Sequence, residues 1–312
     1  MSKIKLALLY GGISDEREIS INTGKQIEKS LNKSKYTIFK YDPKKDLKKF
    51  FNDCINKKFD LVFPALHGPF GEDGRLQGML DMLKVPYVFS GCLASALAMN
   101  KHKTKIIAHE AGLDVASNIV ISKNAEYNIE GIIDILDLPI VVKPTELGSS
   151  VGISIISDKK NLEQGIKLAF QHCNEIMLEK YIEGRELTVT IMGNGKKIRI
   201  LPITEIIPVV ADFYDYNAKY QDGGSRHICP AEIPEKVKLE LEKMALKIYK
   251  QVGCRDLARA DFIWSKKDKK PYFIEINTIP GMTKTSLAPE SAKVAGISFS
   301  EFLNRLIKYN IK

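Results

Sequence analysis

The chain has 312 residues, 44% hydrophobic and 27% charged, the balance of a soluble globular protein long enough for two or three domains. Its net charge is +9, but 39 of the 47 basic residues are lysines, dispersed or in solvated runs, whereas a nucleic-acid surface leans on arginine for bidentate contacts. Five scattered cysteines without a CxxC pair argue against a disulfide framework or a zinc site, and no apolar run suits a signal-peptide core or a bilayer span, so a reducing, cytoplasmic setting is expected.

The first third alternates strand and helix signals. "KIKLALLY" reads as a buried strand ended by "GG", with a helical stretch through "INTGKQIEKSL". "YTIFKYD" and "FDLVFPALHG" are further strands around a lysine-rich helix, "GRLQGMLDML" is helical, and "VPYVFSG" returns to strand. Such alternation predicts an open sheet with parallel pairing. Ligands of these sheets gather beyond the carboxyl ends of the strands. The loops "GGISDERE" and "HGPFGEDG" occupy those ends and carry Glu16 and His67. Alone, Glu16 reads as a charge favoured by the helix dipole and His67 as a packed histidine. Their joint placement at neighbouring strand ends favours a site.

One helix is predicted across "SALAMNKHKTKIIAHEAGL". Strands "LPIVVKP" and "VGISIIS" follow, joined by the turn "TELGSS", then a helix "NLEQGIKLAFQHC" and a strand "IMLEKYI", together a small α+β unit. Lys143 lies on the strand that feeds the glycine- and serine-rich turn. Backbone N–H groups of such a loop can lie over phosphates while a lysine supplies a point charge. No Gly-Lys-Ser/Thr ends the loop and a strand follows it, so it is not a Walker A motif. An ordinary hairpin with a surface lysine has the same local sequence.

From "GRELTVTIMGNGKKIRILPITEII" onward strands are predicted to dominate up to a hairpin, with a closing helix "SFSEFLNRLIKY" whose Ser298 and Glu301 form a capping box. The stretch from Pro208 to Pro230 holds four aromatics and a Gly-Gly pair without a clear period, which reads as a lid. In "ARADFIWSKKDKKPYFIEINTIPG", Lys266 to Lys270 form the hairpin loop, with Trp264 opposite Tyr272 and Asp261 opposite Glu275. Side chains alternate faces along a strand, so Arg259, Asp261, Glu275 and Asn277 share one face, while Ala260, Phe262, Trp264, Ile274 and Ile276 fill a core. Neighbouring carboxylates repel unless protonated or bridged by cations, and hard oxygens suit magnesium. A surface salt bridge from Arg259 is the simpler alternative.

The blocks "GGISDEREIS", "LHGPFGEDGRLQG", "VVKPTELGSSVGIS", "FYDYNAKY", "RADF" and "EINTIPGMTKTS" together resemble the D-alanine–D-alanine ligase family of the ATP-grasp superfamily. The resemblance runs in order from Leu8 to the last helix. It implies a three-domain ATP-grasp fold: an N-terminal open parallel-sheet α/β domain (1–97), a small central α+β domain (98–182) and a C-terminal α+β domain (183–312) with its lid at about 208–230. ATP would lie between the last two.

By the same resemblance, Asp261, Glu275 and Asn277 hold two Mg²⁺ (or Mn²⁺). Lys101 and Lys143 contact the phosphates, and Ser149, Ser150 and Val151 close over them. Glu179, Tyr181 and Ile182 line the adenine pocket, and Glu186 binds the ribose. Glu16 pairs with the ammonium of the first D-alanine, with His67 nearby, and Ser149 and Tyr220 hydrogen-bond to Glu16. Lys219 is a lid contact, Arg259 and the backbone N–H of Gly281 stabilise the oxyanion, and Ser286 and Leu287 receive the carboxylate of the second D-alanine. Tyrosine at the lid position goes with D-alanine as second substrate, phenylalanine with D-lactate. The implied reaction joins two D-alanines through an acyl phosphate for peptidoglycan synthesis. The implied partners are small molecules and a second copy of the chain. The set Glu16, His67 and Tyr220 argues against a glutathione-synthetase-like ligase. Leu147, where a charged residue often stands, and Thr285, where some members have histidine, depart from the common pattern.

Overall fold

The computed structural model describes residues 3–148, 151–209, 224–283 and 285–311. Strand β1 (Ile4–Leu9) buries Leu6, Ala7, Leu8 and Leu9 in succession, as a strand covered on both faces must. It is the centre of a parallel sheet ordered β2–β1–β3, with α1 (Arg17–Ser30) and α2 (Pro43–Ile55) connecting β2 (Tyr36–Tyr41) and β3 (Leu61–Pro64). Helix α3 (Arg75–Met82) follows. The expected fourth strand, "VPYVFSG", is reduced to an isolated parallel bridge between Val62 and Tyr87. Pro86 has no N–H to lengthen the ladder, and Phe89 turns the chain away with φ +77°.

The single helix expected after residue 94 is two, α4 (Cys92–Met99) and α5 (Lys101–Glu110). Asn100 breaks them with an extended ψ of 101° and caps α5 by accepting the Lys103 N–H at 2.9 Å. The central sheet has the order β4–β7–β5–β6 and is antiparallel throughout. Its elements in chain order are β4 (Asn118–Ser122), α6 (Ile129–Leu136), β5 (Ile140–Pro144), β6 (Ser154–Ile156), α7 (Leu162–Ala169) and β7 (Glu175–Lys180). Pattern reading identified neither β4 nor α6. Of β4, "NIVIS", only Ile121 is buried, while Ile119 and Val120 are half-buried.

The third sheet is built from β8 (Gly184–Met192), β9 (Arg199–Ile200), β10 (Thr204–Pro208) and β11 (Ser225–Ile228), followed beyond α8 (Glu235–Val252) by β12 (Leu257–Ser265) and β13 (Pro271–Asn277). Its order is β11–β10–β8–β12–β13, with β9 on β8. Helix α8 interrupts a stretch in which strands were expected to dominate. Its Val237, Leu241, Met244, Ala245, Ile248 and Val252 recur at three- and four-residue spacing and are buried, a helical stripe masked by interleaved lysines and glutamates. Ala98 and Ala108 of α4 and α5 join the same core as Phe262 and Phe273. Helices α9 (Leu287–Val294) and α10 (Phe299–Lys308) end the chain, the latter capped by Ser298 Oγ, which accepts the Glu301 N–H at 3.3 Å.

In the β12–β13 hairpin Asp261 pairs with Glu275 and Arg259 with Asn277, in the expected register. A bulge after Asp261 then shifts the outer half, so Trp264 faces Pro271 and Tyr272 faces Ile263, not Trp264. The extra residue also exchanges faces. Phe273 is buried at the place assigned to Ile274, and Ile274 lines a cavity.

Candidate active site

Two cavities adjoin where the three sheets meet. The first, about 990 Å³ with its open mouth, lies between the central and third sheets. Its walls include Lys101, Lys143, Glu179, Tyr181, Ile182, Glu186, Asp261 and Glu275. The second, about 730 Å³, is lined by Glu16, His67, Arg259, Asn277, Gly281, Ser286 and Leu287, among others. Glu275 and Gly148 line both. A carboxylate wall, Glu275, divides the first cavity from the smaller polar chamber.

Both oxygens of Asp261 are hydrogen-bonded within this face. Asp261 accepts two bonds from Arg259, Nε to Oδ1 at 3.0 Å and Nη2 to Oδ2 at 2.8 Å. Thr188 Oγ1 donates to Oδ1 at 2.5 Å and Asn277 Nδ2 to Oδ2 at 3.1 Å. That bond leaves Asn277 Oδ1 as the amide atom suited to face a cation. Lys101 Nζ lies 3.3 Å from Glu275 Oε2 and donates to the Leu147 carbonyl at 2.5 Å. The simpler expectation, Arg259 paired with Asp261, is therefore present within the larger constellation. Two carboxylates and an amide oxygen on one face are the hard oxygen donors that suit divalent ions.

Two lysines share a buried carboxylate at the other end of the first cavity. Lys105 Nζ is 2.6 Å from Glu179 Oε1, and Lys143 is paired with Oε2. Burial pushes the Glu179 carboxyl up, but Lys105 and Lys143 outweigh it and hold it below the ordinary range. Burial also pushes the Lys105 ammonium down, with Glu179 opposing. Lys105 escaped the sequence reading, although it lies four residues after Lys101 and so on the same helix face. Glu72 and Thr188 were missed for a plainer reason, since no local pattern marks them.

Glu16, at the start of α1, is buried between two glycines. A Cβ on Gly68 would stand 2.6 Å from Glu16 Oε2, and one on Gly148 would stand 3.0 Å from it. His67 faces Thr23 Oγ1 at 3.0 Å and Glu72 Oε1 at 3.3 Å. Burial lowers the basicity of this ring, yet the carboxylates of Glu72 and then Glu16 leave it raised overall. A Cβ on Gly281 would meet Ser286 Oγ at 2.8 Å, so glycine there also keeps space for the Thr283–Ser286 turn. Val151 lines neither cavity, and its N–H donates to the Gly148 carbonyl at 3.3 Å. Ser149, Ser150, Lys219 and Tyr220 lie outside the described residues.

Residues 40–92 match the family model described as D-ala D-ala ligase N-terminus, and residues 107–308 match the D-ala D-ala ligase C-terminus. A D-alanine–D-alanine ligase from Syntrophobacter fumaroxidans is 42% identical over 98% of this chain and 97% of its own length. Another from Halalkalibacterium halodurans is 38% identical over 99% of this chain and its whole length. Among solved structures, the D-alanine–D-alanine ligase of Bacillus anthracis complexed with ATP superposes with a TM-score of 0.85 at 35% identity, covering 99% of this chain and 97% of the other. The VanG D-Ala:D-Ser ligase of Enterococcus faecalis gives a TM-score of 0.81 at 29% identity, covering 99% and 100%.

Proposed function

The chain belongs to the D-alanine–D-alanine ligase family, whose ATP-dependent reaction joins two D-alanines for peptidoglycan synthesis, and from that premise we propose how its two cavities divide the work. The observation that carries the assignment is the shared wall: Glu275 and Gly148 face both chambers, so a nucleotide in one presents its terminal phosphate to an amino acid in the other.

ATP occupies the first cavity. Tyr181 and Ile182 flank the base beside Glu179, Glu186 takes the ribose, and Lys101 and Lys143 neutralise phosphate charge. Asp261, Glu275 and Asn277 would hold Mg²⁺ or Mn²⁺. Such ions supply charge neutralisation and alignment for the phosphoryl group. In the second cavity Glu16, beside His67, receives the ammonium of the first D-alanine and turns its carboxylate toward the shared wall. That carboxylate oxygen attacks the γ-phosphorus, and ADP leaves. The amine of a second D-alanine, its carboxylate held at Ser286 and Leu287, then attacks the acyl carbon. The oxyanion that develops faces Arg259 and the Gly281 N–H until inorganic phosphate departs. Ser149, Ser150 and Val151, with Lys219 and Tyr220 of the lid, close over both chambers and exclude water that would hydrolyse the acyl phosphate.

We take 1–97, 98–182 and 183–312 as the three units; each holds one sheet, although α4 and α5 pack on the third sheet and Phe302, Leu303 and Leu306 of α10 pack with Leu6, Leu8 and Phe63 of the first. An apolar groove beside the exposed Phe51 and Met82 supports pairing of two copies through the first domain. Five free thiols support a reducing compartment, and no helix among the described residues is long and apolar enough to cross a membrane.

Incubation with ATP, Mg²⁺ and D-alanine tests the reading by product analysis. D-alanyl-D-alanine with one ADP per bond is expected, and Glu275→Gln should remove nearly all of it. Undiminished dipeptide from Glu275→Gln would sink the proposed site.

A further inference from the structure

The nucleotide cavity backs onto an ion pair that the scheme above leaves unused. Lys105 is 3% exposed, and its Nζ, 2.6 Å from Glu179 Oε1, also donates to the Phe273 carbonyl at 3.3 Å. Lys143 holds the other oxygen of the same carboxylate. The two ammonium groups differ in what an incoming polyphosphate does to them. On the reading above, Lys143, at the foot of the glycine loop, is drawn toward phosphate. Lys105 is enclosed between α5 and β13 and stays with Glu179.

A buried lysine is costly to ionise without a partner, so its retention beside a substrate cavity calls for a function. A carboxylate accepts hydrogen bonds only while ionised, and once protonated it becomes a donor. Adenine offers a donor at its 6-amino group, whereas a 6-oxopurine offers an acceptor at that position.

We propose that Lys105 is a positioning residue for nucleobase selection: once Lys143 is committed to phosphate, Lys105 alone keeps Glu179 charged and aimed, so that it accepts the 6-amino group of adenine and rejects a 6-oxopurine. This rests on the reading that sets adenine against Glu179, Tyr181 and Ile182. With both ammonium groups in place, their charges outweigh a burial that by itself favours the protonated form.

The test compares Kd for ATP and ITP by titration calorimetry, with kcat at saturating ATP, in Lys105→Met, Lys105→Arg and Glu179→Ala. Lys105→Met should weaken ATP about tenfold through the loss of one charge-assisted hydrogen bond, tighten ITP as the rejection of the 6-oxo group is lifted, and leave kcat within about twofold. Lys105→Arg should restore most of the preference. If Glu179→Ala keeps the wild-type preference for ATP over ITP, the placement of adenine itself fails. If Glu179→Ala loses the preference while Lys105→Met keeps it, the role of Lys105 is overturned. Should the methionine variant not fold, Lys105→Gln retains a donor for the Phe273 carbonyl and gives the same readout. An unfolded glutamine variant would assign Lys105 to stability and overturn the proposal.

Discussion

Arg259 grips Asp261 along one strand, with Nε 3.0 Å from Oδ1 and Nη2 2.8 Å from Oδ2. The bidentate geometry fixes the guanidinium at the junction of the two chambers, where a lysine ammonium reaches one oxygen at a time. Replacing Arg259 with lysine should lower kcat by about 10²–10³, the cost of losing one oxyanion donor, with little change in ATP affinity. Steady-state kinetics with varied ATP check this. A variant with wild-type kcat would remove Arg259 from the chemistry.

Gly68 and Gly148 bracket Glu16 from different parts of the chain, and the two positions should respond differently to alanine. Gly68 has φ +73°, so alanine there is strained as well as 2.6 Å from Glu16 Oε2. It should cost about 1–2 kcal/mol of stability together with activity. Gly148 carries no such backbone strain, and a methyl there mainly displaces Glu16. Gly148→Ala should leave the thermal midpoint near wild type and raise the KM for D-alanine about tenfold or more. An unchanged KM would separate Gly148 from the amino-acid chamber.

Asp42 organises the loop that leads to Glu16. It pairs with Arg17, accepts the Gly12 N–H at 3.0 Å and caps α2 by accepting the Lys44 N–H at 3.1 Å. The hydrogen bond from Arg17 is the main cause that brings the Asp42 carboxyl down to about 2, against the opposing push of burial. A depressed carboxyl stabilises the fold above the unfolded value near 4, and that stability is lost as pH falls through 2. Asp42→Asn should therefore be about 1 kcal/mol less stable at neutral pH, allowing for solvent screening. The gap should close between pH 4 and 2, as thermal unfolding at several pH values would register. A gap independent of pH would contradict the linkage.

Asp256 joins distant segments from a fully buried position. Its carboxylate accepts the Phe89 N–H at 2.8 Å, Asn194 Nδ2 at 2.7 Å and Asn310 Nδ2 at 2.6 Å. Its φ of +63° suits asparagine equally well, so Asp256→Asn isolates the hydrogen bonding from the backbone. The amide turns an N–H toward at least one of these donors. The expected loss is about 2–3 kcal/mol, read as a thermal midpoint lower by roughly 5–10 °C. A midpoint unchanged from wild type would show that the three donors find other partners.

Much of the site was legible because strand alternation is a local rule. Arg259 and Asp261 lie two residues apart, as do Glu275 and Asn277, so either pair shares a face wherever the strand packs, and a short loop sets the pairs opposite each other. Glu16 and His67 were legible for a related reason, since loops at the carboxyl ends of parallel strands converge. The α8 helix was hidden because its charged face dilutes the apolar stripe that packing later selects. What the tertiary structure alone decided is where separate segments meet. A one-residue bulge moved Ile274 from core to cavity, a bend at Asn100 started the helix that carries Lys105 to Glu179, and Gly68 and Gly148 came together around one carboxylate. Periodicity assigns a side chain to a face, whereas contact between faces follows from close packing across domains, which no local spacing encodes.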